Sequence, residues 1–146
     1  MIRIEYPSYR PKIKTEMNIE KIFDPYRKKW IVLTPEEWVR QNFLQYLVHV
    51  LGYPVPLIAI EKEIYLGDVK KRFDIVIYSR EALPYIIVEC KEMEVKLTKN
   101  VLHQALRYNT NMQATFLIIT NGNHCYAYER KDDTFKEIET IPFFEN

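Results

Sequence analysis

The stretch Lys70-Lys71-Arg72-Phe73-Asp74-Ile75-Val76-Ile77-Tyr78, followed after a short break by Pro84-Tyr85-Ile86-Ile87-Val88-Glu89-Cys90-Lys91, decides how this chain folds. Both halves are apolar and rich in β-branched residues, and residues 79–84 supply a turn between them, so the pair reads as two adjacent strands. Three charges interrupt the pattern. Asp74 stands inside the first strand, and Glu89 and Lys91 close the second. Glu89 and Lys91 are two residues apart, which puts them on one face about 6.6 Å apart along the strand. Asp74 reaches the same place from the neighbouring strand if the register allows.

A charge in an apolar strand is costly unless it is paired or bound to metal. Two converging carboxylates suit a hard cation such as Mg²⁺, which takes oxygen ligands at about 2.0–2.1 Å. Such an ion polarises a phosphate and lowers the pKa of a bound water. An ammonium beside it stabilises developing negative charge. The plain structural reading is an edge-strand Asp74 with a surface Glu89–Lys91 ion pair, which contributes little to stability.

At these residues the chain resembles the PD-(D/E)XK nuclease superfamily, with Phe73 where the family name has proline. More narrowly, Arg72-x-Asp74 and Val88-Glu89-Cys90-Lys91 resemble the N-terminal nuclease domain of type I restriction-enzyme restriction subunits, over about residues 34–130. The resemblance implies metal-binding roles for Asp74 and Glu89 and a catalytic role for Lys91. It also implies Mg²⁺ as cofactor, with Mn²⁺ as an alternative, and DNA as the partner. The implied fold is an α/β, restriction-endonuclease-like sandwich in which helices flank a central mixed sheet.

Thr34-Pro35-Glu36-Glu37 is a helix start, with Thr34 as N-cap, Pro35 at the first helical position and Glu37 completing a capping box. The helix is expected to end at Leu51, with Gly52 as the stop. Its apolar stripe is Val39, Phe43, Leu47 and Val50; at about 100° per residue, Glu36 lies within roughly 60° of all four. Glu36 is therefore expected on the core side and Glu37 in a local capping role. Arg40, one turn on, can pair with Glu36. Type I restriction nuclease domains carry a similar Glu-x-x-x-Arg helix, which implies that Glu36 assists the metal site. Glu37 is the alternative, and a simple Glu36–Arg40 ion pair is the plain reading.

A second helix is expected over residues 99–112, from the periodicity of Val101, Leu102, Ala105, Leu106 and Met112. Gln104 and Tyr108 share one of its faces, and Gln-x-x-x-Tyr also resembles the RecB-like and type I nucleases, which implies contact with the site and nucleic acid. His103 and Arg107 lie nearby as phosphate contacts, and Arg40 and Arg72 are further supporting residues. Strands are expected over 57–66, 69–78, 85–91, 115–120 and 124–130, with an edge strand over 135–138. Glu63 reads as an exposed strand charge. Residues 1–14 read as irregular, and 18–23 with 28–33 as a hairpin turning at Asp24-Pro25. Residues 1–33 thus form an extension before a nuclease-like domain over 34–146.

The length suits one domain that buries about 68–70% of its unfolded surface. A net charge of +1 gives no global signal of nucleic-acid binding. Basic clusters at 10–14, 27–29 and 70–72 fit a solvated surface as well as a phosphate contact. Cys90 and Cys125 lack metal-ligand spacing with each other or with His49, His103 and His124 and read as buried thiols. No apolar run reaches membrane-spanning length and the N-terminus is polar, so a cytoplasmic setting without membrane contact is expected. No P-loop motif is present, so any motor activity must come from a partner. Cutting both strands of a duplex calls for two sites, hence a homodimer or a motor or specificity partner. Two other functions fit the pattern: a non-cleaving nucleic-acid-binding or protein-interaction module, and a repair or RNA-directed nuclease.

Overall fold

A computed structural model describes residues 1–145. Strands β1 (Ile2–Arg3), β2 (Ile13–Glu16), β3 (Ile19–Asp24) and β4 (Lys29–Val32) precede helix α1 (Pro35–His49). Strands β5 (Ile58–Leu66), β6 (Val69–Tyr78) and β7 (Pro84–Cys90) then lead into helix α2 (Lys99–Tyr108). Strands β8 (Phe116–Thr120), β9 (His124–Lys131) and β10 (Thr134–Ile138) finish the chain. The main sheet runs β1-β9-β8-β7-β6-β5, and β10 also pairs with β9. Among the described residues only β7 and β8 pair in parallel, joined by the crossover that contains α2. The other pairs are antiparallel, so the sheet is mixed, as the strand order in the sequence implies.

Each face of the sheet carries one helix. Val39, Phe43, Leu44 and Leu47 of α1 pack on Ile75, Ile77, Ile86, Val88 and Ile118. Leu102 and Ala105 of α2 pack on Val76, Ile87, Leu117 and Ile119 across the sheet. Strands β7 and β8, covered on both sides, are therefore apolar runs rather than alternating ones. Thr34 caps α1 by accepting from the Glu37 N–H at 3.0 Å. The helix ends two residues before Leu51, and Gly52 takes the left-handed conformation at φ +80° just beyond. Helix α2 stops at Tyr108 because Asn109 turns the chain, its side-chain amide donating to the Ala105 carbonyl at 2.7 Å. Met112 is buried from the loop instead of the helix.

The first 33 residues are more ordered than their sequence suggests. The hairpin over β3 and β4 is present, and β2 adds a third strand to form a separate sheet, β2-β3-β4. Strand β1 pairs with β9, and Ile4 enters the α1-side core. A two-residue strand carries no periodic signal, which is why the segment reads as irregular.

Strand β6 breaks its own alternation at the centre. Its pairing with β5 runs Ile60↔Ile75 and then Lys62↔Phe73, skipping Glu61 and Asp74. Glu61 has φ +52°, a conformation that non-glycine residues adopt at a cost. Across this point the strands change faces. Ile75 and Ile77 pack toward α1, whereas Phe73, of the same parity, packs toward α2. Ile58 and Ile60 likewise pack with the α1 side, and Ile64 and Leu66 with the α2 side.

Candidate active site

Asp74 sits at that break. The β6–β7 ladder runs only as far as Ile75↔Val88, and the next free amide, that of Cys90, donates to Asp74 Oδ2 at 2.7 Å. A side-chain carboxylate thus replaces a backbone acceptor where the strands part. Asp74 Oδ1 accepts from Arg40 Nη2 at 2.8 Å. Glu89 lies one residue past the ladder, with its Oε2 3.6 Å from Lys91 Nζ. The Lys91 amide donates to the Thr120 carbonyl at 2.7 Å and fixes the end of β7 to β8. Cys90, between them, points into the α1-side core.

Three carboxyl groups converge here from three elements. Glu36, in the first turn of α1, is 3.6 Å from Arg40 Nη2. Its pKa is raised by burial and then by the neighbouring Asp74 carboxylate; Arg40 and Lys91 oppose the rise. The Glu89 pKa is raised by burial and by Asp74, against the pull of Lys91. Glu36, Asp74, Glu89 and Lys91 therefore act on one another electrostatically. Among the described residues, however, no three Asp, Glu, His or Cys side chains form a finished metal-ligand group.

The helix glutamates are placed differently from the wheel expectation. The side chain of Glu36 is 53% exposed and that of Glu37 only 4%. Glu37 Oε1 accepts from Arg40 Nη1 at 2.6 Å, and its Oε2 accepts from Arg27 Nη2 at 3.0 Å and Gln41 Nε2 at 2.9 Å. The wheel counted one covered side of α1. The β2-β3-β4 sheet covers a second side, where Glu37 and Gln41 meet Asp24 and Arg27. Glu37 thus belongs to a buried network rather than a surface cap, and Glu36 faces the opening where Asp74 and Lys91 lie.

That network holds Arg40 in place. Burial opposes the Arg40 charge, but Asp74 and Glu37 outweigh it and bind its proton more firmly than in a free arginine. Glu61, turned by its left-handed backbone, bridges Arg27 at 3.1 Å, Arg40 at 3.3 Å and Arg72 at 3.0 Å. Asp24 accepts from the Tyr26 and Arg27 amides, from the Arg27 Nε–H and from Gln41. Burial pushes its pKa up, yet these bonds bring it below the ordinary value. Asp24, Gln41 and Glu61 escaped the sequence reading as members of the site, and Arg27 entered it only as part of the basic cluster at 27–29. Asp24 reads as a turn residue, which it also is, and the only hint for Glu61 is a charge breaking the alternation of Ile58-Ala59-Ile60.

The remaining candidates lie farther out. Gln104, His103 and Arg107 are on the solvent side of α2. The Tyr108 ring lies 6.1 Å from that of Phe73, the residue before Asp74, and beneath Lys71 Nζ at 4.5 Å, and Tyr108 is not among the hydrogen-bond partners of Asp74. Glu63 pairs with Lys70 at 3.6 Å on the exposed hairpin. A cleft of about 440 Å³, lined by Val32, Pro35, Glu36, Arg40 and Glu61 among others, opens beside the cluster. Another cleft, of about 290 Å³ between Tyr53, Tyr85 and Phe144, holds none of the cluster residues.

A mixed sheet with one helix on each face and an acid–acid–lysine cluster where its central antiparallel strands part defines an α/β protein of the restriction-endonuclease-like class. The family model of the type I restriction enzyme R protein N terminus matches residues 35–142, and the chain belongs to that family. No curated protein matches the sequence. Among the described residues, no helix is long and apolar enough to cross a membrane.

Proposed function

We propose that this chain is a Mg²⁺-dependent nuclease, with Mn²⁺ as a substitute ion, that hydrolyses DNA phosphodiester bonds in the cytoplasm. The observation that carries the reading is the meeting of Glu36, Asp74, Glu89 and Lys91 from three elements at the break in β6. The donor chemistry fits a hard divalent ion. The ion-paired set places Asp24, Glu36, Glu37, Glu61, Asp74 and Glu89 against Arg27, Arg40, Arg72 and Lys91, leaving two formal negative charges unmatched. Asp74 and Glu89 would hold the ion and Glu36 would complete the set, all with oxygen donors. When bound, such an ion polarises the scissile phosphate and acidifies a water. Lys91 presents its ammonium beside Glu89, where it stabilises charge developing on the phosphate oxygens. Arg40 orients Asp74 by donating to its Oδ1.

Family membership supports DNA as the substrate and further subunits as partners. The chain has no P-loop, so translocation would come from a motor partner, and a homodimer is the other route to cutting both strands. Arg72, Arg107, Gln104 and Tyr108 would contact the nucleic acid around the site.

Lys91→Ala is expected to lower the Mg²⁺-dependent cleavage rate about 10²–10³-fold while leaving the fold intact, the usual cost of losing one preorganised electrostatic stabiliser. Asp74→Ala is expected to weaken divalent-ion binding as well. Plasmid and oligonucleotide cleavage, with DNA and RNA arms, and Mn²⁺ titration of both variants separate the two roles. Wild-type cleavage by Lys91→Ala rejects the mechanism. One observation favours a non-cleaving binding module: both Asp74 oxygens are already engaged, by Arg40 and by the Cys90 amide. Absence of divalent-ion binding in the wild-type chain would decide for that reading.

A further inference from the structure

The β2-β3-β4 sheet lies before the span matched by the family model, and its two faces differ sharply. The inner face buries Ile22 and Asp24, and Asp24 accepts from Gln41 of α1. Register places Lys14, Lys21 and Val32 side by side on the outer face, with Phe23 opposite Trp30 in the next row. Lys12 joins that row, its Nζ 5.9 Å above the Phe23 ring. Lys14 Nζ stands 4.3 Å above the Trp30 ring, and the two aromatic rings meet edge to face at 5.4 Å. Trp30 is 38% exposed. The one acid on this face, Glu16, pairs with Lys14 at 3.1 Å and Lys21 at 3.4 Å. Exposed pairs of this kind contribute little and exchange readily for another anion.

We infer that this outer face is a second nucleic-acid-binding surface, which holds a DNA strand with unpaired bases and leads it to the catalytic cleft. Three features support the assignment. The lysines sit about 5–7 Å apart along and across the strands, a spacing suited to successive phosphates. An exposed aromatic ring such as Trp30 on a sheet face beside lysines takes unpaired bases by stacking, a contact open to any base. Val32, two residues beyond Trp30 on the same face, lines the cleft that contains Glu36 and Arg40. The sheet is also fixed to the catalytic helix, because Arg27 bonds Glu37 and Asp24 bonds Gln41. A strand on this face is therefore held at a set distance from Asp74 and Lys91.

The inference rests on the nuclease reading only for the class of ligand, and its test is blind to cleavage. Binding of a labelled single-stranded oligothymidine to the full chain is measured by fluorescence anisotropy in chelator, across a salt series. Trp30→Ala is expected to weaken binding about tenfold, the loss of one stacked base. Lys14→Gln with Lys21→Gln is expected to reduce the slope of log affinity against log salt by about 1.4, the loss of two single-strand phosphate contacts. Lys14→Arg with Lys21→Arg keeps the charge and is expected to bind like wild type. A duplex of the same length is expected to depend less on Trp30. Circular dichroism confirms that each variant folds. Unchanged single-strand affinity in Trp30→Ala and the glutamine pair overturns the inference, whether or not the chain cleaves DNA. So does a change in self-association by light scattering with DNA affinity intact, which would make the face a protein-docking surface. A cleavage-dead chain that shows the expected binding losses supports it.

Discussion

Glu89 sits where burial and the Asp74 carboxylate both oppose its charge, with Lys91 as the counterweight. Its folded-state pKa therefore lies above the ordinary 4.5. The stability tied to its proton is fully present below 4.5 and is lost as pH rises through the folded value. At pH 7 without divalent ions, Glu89→Gln is accordingly expected to melt above wild type, and the difference to vanish in acid. Mg²⁺ at 100 times its Kd would stabilise wild type by about 2.7 kcal/mol, and the glutamine variant is expected to lose that rise. Thermal melts with chelator and with Mg²⁺ check both outcomes. Asp24 shows the opposite sign. Burial raises its pKa, but hydrogen bonds from Arg27, Gln41 and Tyr26 bring it below the ordinary 3.8. Its contribution is present above 3.8 and is lost as pH falls through the lower folded value. Asp24→Asn leaves Arg27 short of a buried partner and is expected to cost ~3 kcal/mol at neutral pH. Urea denaturation of both proteins over a pH series checks that the gap narrows below 3.8.

Helix α1 is the element on which both sheets converge, and it shows what a sequence can and cannot reveal. Its cap and first stripe are legible because Thr34, Pro35 and the spacing of Val39, Phe43 and Leu47 are local signals. Strand β6 is legible to the residue, and β7 and β8 nearly so, since continuous apolar runs bounded by turns have few other readings. Glu37 is not legible as a buried group, because its cover comes from β3 and the turn after it, a contact that α1 periodicity does not encode. The change of face at Glu61 and Asp74 is hidden for a different reason: one glutamate in a left-handed conformation reverses the parity of the hairpin between Glu61 and Asp74, a local backbone event that the apolar pattern does not encode. The turn between β8 and β9 is held close to α1 as well. Gly122 has φ +91°, and a Cβ there would lie 3.2 Å from Val39 Cγ2. Gly52 has φ +80° but open space around it. Both glycine-to-alanine changes incur the left-handed penalty of about 1–2 kcal/mol. Gly122→Ala is expected to lose more than Gly52→Ala, because the added methyl also presses on Val39. Chemical denaturation of the two variants ranks them, and equal losses would show that α1 gives way freely at Val39.

At the scale of the whole molecule, the span matched by the family begins at residue 35, while the physical body begins at residue 2. Strand β1 covers part of the β9 edge, and Ile4 fills space among the α1-side core residues. Tyr6 donates its hydroxyl to the Gly122 carbonyl at 2.5 Å. Arg27 is one of the cations that neutralise Glu37, and Asp24 accepts from Gln41. Taking away residues 1–33 would therefore strip a buried partner from Glu37, open a hole at Ile4 and bare the polar side of α1. Breaking a buried charge pair costs about 3–5 kcal/mol, and losing a buried isoleucine about 2–5 kcal/mol. A domain of this size has about 5–15 kcal/mol in total. The fragment 34–146 is thus expected to lie at the edge of unfolding, with a broadened melt and weak dispersion of its amide resonances. Restoring residues 1–33 as a separate peptide is expected to sharpen the melt, since the contacts it makes are specific. A fragment that melts as cooperatively as the full chain would show that the nuclease-like body stands alone. The ribbon would then serve only the DNA strand proposed for its outer face.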